Sequence, residues 1–334
     1  MNRFSYARAS AVREALEQRR ANGSAVFIAG GTNLVDLLRE DVARPATLVD
    51  INRLPLKSIE ATPGGGLKIG ALVTNSALAY DETVAARYPL LAEAILAGAS
   101  AQIRNVATVG GNLLQRTRCY YFYDAGTACN KREPGTGCPA MDGLNRIHAI
   151  LGASDQCIAV HPSDLCVALA ALDARVHVTG LKGTRALSFA EFHRLPGDTP
   201  HIDTNLAEGE LITAVELPKE GYAAHHAYVK VRDRASYAFA LVSAAVGLEL
   251  DGDTVAGVRC ALGGVAHKPW RDPGAEDSLR GKPLNAATAQ DFAGRLLHGA
   301  RGRSGNAFKI ELAARVIVRA FDIAAQRSRG EAAS

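Results

Sequence analysis

Four cysteines lie within one short stretch of this chain and could bind a metal centre together. They are separated by nine, eight and eighteen residues, and they stand at Cys119, Cys129, Cys138 and Cys157. Four thiolates are the ligand set of an iron-sulfur cubane and of a structural zinc ion. Zinc sites usually contain a close Cys-x2-Cys pair, which this stretch lacks. Disulfides or free thiols are the remaining alternatives, and the spacing alone does not choose among them.

The segment that carries these cysteines, from about residue 117 to 160, shows little sustained periodicity. Over such a length this indicates a functional insertion or a disordered linker, and the cysteines favour the insertion. Four nearby basic residues would offset the charge of thiolates, namely Arg116, Arg118, Lys131 and Arg132. The other two cysteines, Cys166 and Cys260, follow the apolar pattern of their elements and are predicted to be core positions.

A glycine pair between a buried strand and a helix start could hold an anion. The segment is Ala29-Gly30-Gly31-Thr32-Asn33. Consecutive glycines let successive backbone N–H groups turn toward one anion, and the helix start adds a partial positive charge. The arrangement suits a pyrophosphate, although a plain strand-to-helix turn would have the same sequence.

A second segment of the same chemical character follows at Thr108-Val109-Gly110-Gly111-Asn112. Two such loops could hold the two ends of one extended dinucleotide. The chain lacks both Gly-x-Gly-x-x-Gly and the Walker A pattern, so the site is neither a Rossmann fingerprint nor a P-loop. The glycine-rich end of this segment is predicted not to form regular helix.

The secondary structure predicted to position these residues differs between the N-terminal and the C-terminal parts of the chain. Apolar periodicity predicts a strand at 25–28, a helix from about Leu34 and a strand at 48–51. After the insertion, Ser163 is predicted to cap a helix, and 176–178 is a strand. Strands at 228–231, 242–250 and 255–262, followed by helices around 286–297 and 307–325, predict a C-terminal sheet with helices packed on it.

Composition excludes several classes of protein. The chain has 334 residues, 48% of them hydrophobic and 22% charged, which is typical of a globular protein with two or three subdomains. The net charge of +4 is not concentrated in a stripe, which argues against nucleic-acid binding. No apolar run could span a membrane, and the charged first twenty residues contain no export signal.

In its motifs the chain resembles the flavoprotein subunits and domains of the xanthine dehydrogenase and molybdenum hydroxylase family. The resemblance spans nearly the whole chain, and the motifs occur in the order that the family shows. They are Ile28-Ala29-Gly30-Gly31-Thr32-Asn33-Leu34, Thr108-Val109-Gly110-Gly111-Asn112, His161-Pro162-Ser163-Asp164-Leu165 and Tyr228-Val229-Lys230-Val231-Arg232.

The resemblance implies that the chain binds FAD. The first motif, with Ile28 and Ala29 leading into Gly30, Gly31, Thr32, Asn33 and Leu34, would bind the FAD pyrophosphate. Thr108, Gly111 and Asn112 would support the ribityl and phosphate region. Asp164 would contact the flavin nucleotide and Lys230 would lie near the isoalloxazine. Asp164 could instead favour a helix start, and Lys230 could be a solvated strand residue. No residue of this chain is expected to be catalytic.

The resemblance also gives the cysteine insertion a meaning. It looks like the insertion in the FAD subunits of bacterial aldehyde oxidoreductases, periplasmic ones above all, and of 4-hydroxybenzoyl-CoA reductase, where it implies a [4Fe-4S] cluster. The implied function is electron transfer in a molybdenum-dependent aldehyde oxidoreductase. The implied partners are a large molybdenum-cofactor subunit and a small [2Fe-2S] subunit, together with an external electron acceptor. A self-sufficient flavin oxidase and a zinc-stabilised scaffold are the rival functions.

The implied fold class is α+β. A two-subdomain FAD-binding domain, similar to that of vanillyl-alcohol oxidase, would occupy residues 1–222, and a smaller C-terminal domain residues 223–330. Without an export signal of its own, the chain would stay in the cytoplasm or reach the periplasm with a signal-bearing partner. The sequence does not identify the substrate or the electron acceptor.

Overall fold

The computed structural model describes residues 2–327, which are built on three β-sheets. The first sheet is parallel, and β3 lies between β1 and β2. Helix α1 covers this sheet and buries Ala15 and Leu16 against it. In chain order the elements are β1 (Ser5–Arg8), α1 (Val12–Ala21), β2 (Ala25–Ile28), α2 (Leu34–Arg39) and β3 (Thr47–Asp50).

The second sheet is antiparallel and has five strands, in the order β4-β5-β8-β6-β7. Its strands are β4 (Ile59–Ala61), β5 (Leu67–Gly70), β6 (Arg175–Gly180), β7 (Gly183–Ser188) and β8 (Leu211–Leu217). Seven α-helices lie between β5 and β6, of which the first six are α3 (Asn75–Ala79), α4 (Glu82–Arg87), α5 (Pro89–Ala97), α6 (Ala101–Arg104), α7 (Val109–Leu113) and α8 (Tyr120–Tyr123). Helix α9 (Asp164–Ala171) precedes β6, and α10 (Phe189–Phe192) follows β7.

The third sheet forms the C-terminal part of the fold, and β10 lies in its middle. Its elements are β9 (His226–Val231), β10 (Val242–Asp251), β11 (Thr254–Gly263), α11 (Pro273–Asp277), α12 (Ala286–Leu296) and α13 (Phe308–Gln326). The helices α12 and α13 meet through Phe292 and Phe321, whose ring centroids are 5.1 Å apart. On the N-terminal side, α9 packs against α5 and against β10 and β11, and all eight of its residues are buried.

The cysteine insertion, residues 117–160, contains only α8 and one 3-10 turn at Pro139–Met141. It has a small core of its own, in which Phe122, Ala140 and Ile158 are almost fully buried. This core also includes Leu37 of α2, so the insertion packs on the helix that connects β2 and β3. A segment without regular secondary structure is therefore organised around a buried interior.

The α+β class and the C-terminal sheet with packed helices, both predicted from sequence, are confirmed. One local prediction was wrong, because the glycine-rich segment after Ala107 does form a short helix, α7. Thr108 caps it by accepting a hydrogen bond from the Gly111 N–H, and Gly110 packs where a Cβ would lie 3.0 Å from Ala71. The predicted domain bounds stay predictions, and residues 1 and 328–330 within them lie outside the described residues.

Among residues 2–327, no helix combines the length and apolar character needed to cross a membrane.

Gly30 allows the first strand-to-helix turn to approach the segment before α7. A Cβ at this position would lie 2.0 Å from the Val106 carbonyl oxygen, which belongs to the backbone and cannot rotate away. Glycine is required here because the two chain segments touch, not because of an unusual backbone angle. This contact brings the two glycine-bearing segments of the sequence side by side.

We therefore expect Gly30→Ala to destabilise the protein by about 1 to 3 kcal/mol, the usual cost of forcing an extra methyl into a packed site. Urea unfolding followed by circular dichroism measures this change. Gly23→Ala is the matched control, since a Cβ at Gly23 meets no atom within 4 Å. Equal unfolding midpoints for the two variants would contradict the contact.

Candidate functional site

A cleft of about 580 Å³ lies between the FAD-binding region predicted from sequence and the C-terminal sheet. This volume lies in the usual range for ligand pockets. One wall comes from the turn before α2, from α7 and from the start of α9. The opposite wall comes from β9 and from the segment 233–241 that follows it. Six of the residues predicted to bind FAD line the cleft: Thr32, Asn33, Gly111, Asn112, Asp164 and Lys230.

The first glycine turn presents free backbone donors. Within the described part of the chain, the N–H groups of Gly31, Thr32 and Asn33 have no hydrogen-bond acceptor. Gly31 adopts a positive φ of 71°, which turns the chain sharply before α2. The Asn33 side chain accepts a hydrogen bond from the Arg116 N–H at 2.9 Å, which fixes the turn against the insertion. Successive unpaired N–H groups of this kind form an anion-binding concavity.

The other predicted residues of the first motif do not line the cleft. Ile28 ends β2, and Leu34 begins α2. The Ala29 carbonyl accepts a hydrogen bond from the Asn52 side chain at 3.1 Å, while Gly30 lies against Val106. These residues shape the turn, and Thr32 and Asn33 are the residues of the motif that line the cleft.

The second glycine segment differs chemically from the first. Its backbone donors are already used, since the N–H groups of Gly110 and Asn112 bond to the carbonyls of Ala71 and Thr108. Thr108 is buried as the cap of α7. The Asn112 Oδ1 accepts hydrogen bonds from the Ser163 hydroxyl at 2.5 Å and from Gln115 at 2.7 Å. This leaves the Asn112 amide N–H₂ group as the donor available to a ligand.

Asp164 and Lys230 form an ion pair in the lining of the cleft. The Lys230 ammonium lies 2.8 Å from one Asp164 carboxylate oxygen and donates to the Ala97 carbonyl at 3.0 Å. The other Asp164 oxygen accepts a 2.6 Å hydrogen bond from the Tyr228 hydroxyl. Burial, and the Asp164 charge beside it, raise the pKa of Tyr228 well above its ordinary value. The pair fastens α9 to β9, because a buried charge is stable only when it is paired.

Arg118 also lines the cleft and, among residues 2–327, pairs with no carboxylate. Its guanidinium lies over the rings of Tyr123 and Phe239, with distances of 5.9 and 4.9 Å to the ring centroids. Burial lowers its pKa. A half-buried guanidinium without a carboxylate partner among the described residues is suited to bind an anionic ligand in this cleft.

The four insertion cysteines surround a second, small cavity. All four are free thiols, so the disulfide alternative is not realised. Cys119, Cys129 and Cys157 are buried, and Cys138 is half-buried. Burial raises the pKa of the Cys119 thiol to about 11. A hydrogen bond from the Cys157 thiol lowers the pKa of Cys138 to about 6.

The cations that the sequence placed near the cysteines have different roles. Lys131 and Arg116 both pair with Asp203, a residue that the sequence did not single out. These two cations hold the pKa of Asp203 at about 2 even though burial opposes its ionisation. Arg132 donates hydrogen bonds to the carbonyls of the α8 region and braces the loop. The hydrogen bond to Cys138 and burial raise the pKa of the Cys157 thiol well above its ordinary value, and the charge of Lys131 opposes this shift only in part.

A third group of polar side chains lies beside the cleft. The potential ligand atoms of His161, Cys166 and His193 all lie within 4.8 Å of one another. The Ser163 N–H donates to the Nδ1 of His161 at 3.4 Å, which places the proton of His161 on Nε2 and opposes metal binding there. Burial lowers the pKa of both histidines, that of His193 to about 4. The group is therefore a pair of neutral packed rings beside Cys166, and no local spacing in the sequence indicates it.

Cys119 and His148 belong to the linings of both cavities. The His148 Nε2 lies 3.1 Å from the Cys119 sulfur, and both residues are buried. The cleft and the four-thiol cavity are therefore separated by the thickness of these two side chains. Sequence reasoning identified Cys119 but missed His148, because a lone histidine in a loop carries no ligand spacing.

Comparisons with known proteins identify the family of this chain. Residues 2–220 match the model of the FAD binding domain in molybdopterin dehydrogenase. Residues 226–324 match that of the CO dehydrogenase flavoprotein C-terminal domain. The chain is 49% identical over 318 residues to the aldehyde oxidoreductase FAD-binding subunit PaoB of Escherichia coli, covering 95% of this chain and 96% of that protein.

Further relatives extend the likeness to other complexes. The glyceraldehyde dehydrogenase medium chain of Sulfolobus acidocaldarius is 30% identical, over 88% of this chain and 86% of that protein. Quinoline 2-oxidoreductase from Pseudomonas putida 86 has a solved structure that matches with a TM-score of 0.76 at 27% identity, over 98% of both chains. The chain therefore belongs to the family of FAD-binding subunits of the molybdenum hydroxylases, and it is an oxidoreductase subunit.

Proposed function

We propose that this chain is the electron-transferring flavoprotein subunit of a molybdenum-dependent aldehyde oxidoreductase. In this role it receives electrons from a small [2Fe-2S] subunit and delivers them through FAD to an external acceptor. It contains, in addition, a [4Fe-4S] cluster in the cysteine insertion. The observation that carries the proposal is the common wall of Cys119 and His148 between the anion-binding cleft and the four-thiol cavity.

The cleft has groups suited to hold FAD. The free N–H groups of Gly31, Thr32 and Asn33 would donate to the pyrophosphate, and the unpaired Arg118 would balance its charge. The Asn112 amide N–H₂ would donate to the ribityl or phosphate region. FAD in this cleft would supply the exchange between two-electron and one-electron transfer.

The part of the cleft that Asp164 and Lys230 line would hold the isoalloxazine against the C-terminal domain. Lys230 lines it while remaining paired with Asp164, so its charge is fixed in position and does not move with solvent. In our proposal Asp164 acts by orienting Lys230 and α9. The family motif at these two positions thus has both a structural and a cofactor role.

The cysteine cavity has the properties of an iron-sulfur site. A tetrahedral zinc ion with Zn–S bonds of about 2.3 Å would bring its sulfur atoms to within about 3.8 Å of one another. The insertion cysteines do not form such a crowded group among the described residues. A cubane binds each thiolate at a different corner and so accepts a wider spread. Lys131, buried beside Cys157, would offset the negative charge.

Partner subunits and a compartment are part of the proposal, and relatives named as an FAD-binding subunit and a medium chain support the presence of partners. The large subunit would hold the molybdenum cofactor and oxidise the aldehyde, and the three subunits would form a heterotrimer. The chain would be exported already folded, with a signal-bearing partner, or would work in the cytoplasm. A 4-hydroxybenzoyl-CoA reductase-like complex is the alternative that shares the insertion.

We expect Asn112→Asp to weaken FAD binding at least tenfold. The substitution keeps the Oδ1 acceptor for Ser163 and Gln115, but it replaces a donor by a negative charge facing the pyrophosphate. FAD affinity of the reconstituted chain is measured by flavin fluorescence. Asn285→Asp adds the same charge at the cap of α12 and should leave FAD binding unchanged, since aspartate caps equally well. Unchanged affinity of Asn112→Asp would argue against FAD in this cleft.

We expect Cys129→Ser to remove the iron and acid-labile sulfide of the [4Fe-4S] cluster from the anaerobically purified complex, while the iron of the [2Fe-2S] subunit and the FAD are retained. One of four ligands is lost, whereas the flavin cleft does not include Cys129. Cys260→Ser also changes a buried cysteine, but it lies in β11 and should leave iron unchanged. Full iron content in Cys129→Ser, or loss of FAD alone, would refute the cluster assignment.

We expect the isolated, FAD-loaded chain to remain oxidised when mixed with an aldehyde and to be reduced once the partner subunits are added. The reason is that, in our proposal, the large subunit oxidises the aldehyde and this chain receives its electrons only through the small subunit. Stopped-flow absorbance of the flavin follows this reaction. Turnover by the single chain would instead support a self-sufficient flavin oxidase.

A further inference from the structure

His148 makes a direct contact with one of the four proposed cluster ligands. Its Nε2 lies 3.1 Å from the Cys119 sulfur, and both side chains are buried away from solvent. The other ring nitrogen, Nδ1, has no hydrogen-bond partner among the described residues. When Cys119 binds a metal as a thiolate, its sulfur carries no proton and can only accept a hydrogen bond. The contact is then an N–H···S bond with Nε2 as the donor.

The backbone of His148 is clamped by the C-terminal domain. Its carbonyl accepts hydrogen bonds from the Lys309 ammonium at 2.7 Å and from the Asn306 side chain at 3.2 Å. Lys309 is fully buried and also donates to the Gly264 carbonyl at the end of β11. The His148 N–H donates to the Asn145 carbonyl at 3.0 Å. With both backbone groups bonded, the imidazole has little freedom to leave the sulfur.

We propose that His148 is a positioning residue that raises the reduction potential of the centre bound by Cys119, and that Lys309 and Asn306 hold it in place. This inference rests on the proposed iron-sulfur function of the insertion. Hydrogen bonds to the sulfurs are among the determinants of iron-sulfur potentials. An N–H donor stabilises the more negative, reduced form and therefore makes reduction easier.

The location of His148 gives this bond a consequence for electron transfer. The residue lines the flavin cleft as well as the thiol cavity. His148 would thus adjust the reduction potential of the cluster from a position between the cluster and the flavin. The C-terminal domain, through its clamp on the His148 carbonyl, controls this adjustment without contributing a ligand.

The test uses the complete, anaerobically purified complex and a redox titration of the cluster followed by electron paramagnetic resonance. We expect His148→Leu to shift the midpoint potential of this cluster to a lower value. His148→Gln, whose terminal amide can replace the Nε2–H donor, should restore the potential toward that of the wild type. FAD content should be the same in all three proteins. A His148→Leu cluster with the wild-type potential overturns the inference.

A second measurement on the wild-type protein covers the case in which His148→Leu fails to assemble its cluster. The complex is labelled with ¹⁵N-histidine, and the reduced [4Fe-4S] cluster is measured by pulsed electron paramagnetic resonance. The spectrum should show coupling of the cluster to one histidine nitrogen. Lys309→Met, which removes one of the two donors of the clamp and leaves Asn306, should weaken that coupling while the [4Fe-4S] cluster is retained. Absence of any histidine coupling in the wild type refutes the role of His148. Absence of a [4Fe-4S] signal from the wild type refutes the proposed cluster itself, and the two failures are therefore distinguishable.

Discussion

The proposed electron transfer depends on how close the cleft lies to the four-thiol cavity. Cys119 and His148 form the wall between the FAD-sized cleft and the four-thiol cavity, and they are in contact with each other. If this wall were thicker, the insertion would be a structural addition remote from the cofactor. Because it is only two side chains thick, the cluster that we propose for the insertion would lie in a position to exchange electrons with a flavin in the cleft.

The fold maintains this approach through contacts that join separate parts of the chain. Gly30 allows the first turn to rest on Val106, which brings the anion-binding N–H groups to the edge of α7. The Asp164–Lys230 pair fastens α9 to the third sheet beneath the cleft. Lys309 reaches from α13 to the carbonyl of His148 and so ties the C-terminal domain to the insertion. The cleft and its wall are thus set by three independent contacts.

The sequence predicted the fold class, the C-terminal sheet, the turn at Gly31 and the clustering of the cysteines, because each has a local pattern. It did not predict most of the five-stranded sheet, whose strands come from distant segments, nor the capped helix α7. It treated both glycine segments as equivalent, whereas only the first leaves its backbone donors free. Asp203, Arg118 and His148 were missed or given another role, because their importance comes from tertiary neighbours that no local spacing reveals.

The most direct measurement is an anomalous difference map, collected at the iron absorption edge, from crystals of the intact complex grown without oxygen. The account predicts a strong iron peak among Cys119, Cys129, Cys138 and Cys157, and FAD in the cleft on the far side of His148. A single zinc ion, an empty insertion, or FAD bound away from the Gly31 turn would contradict it.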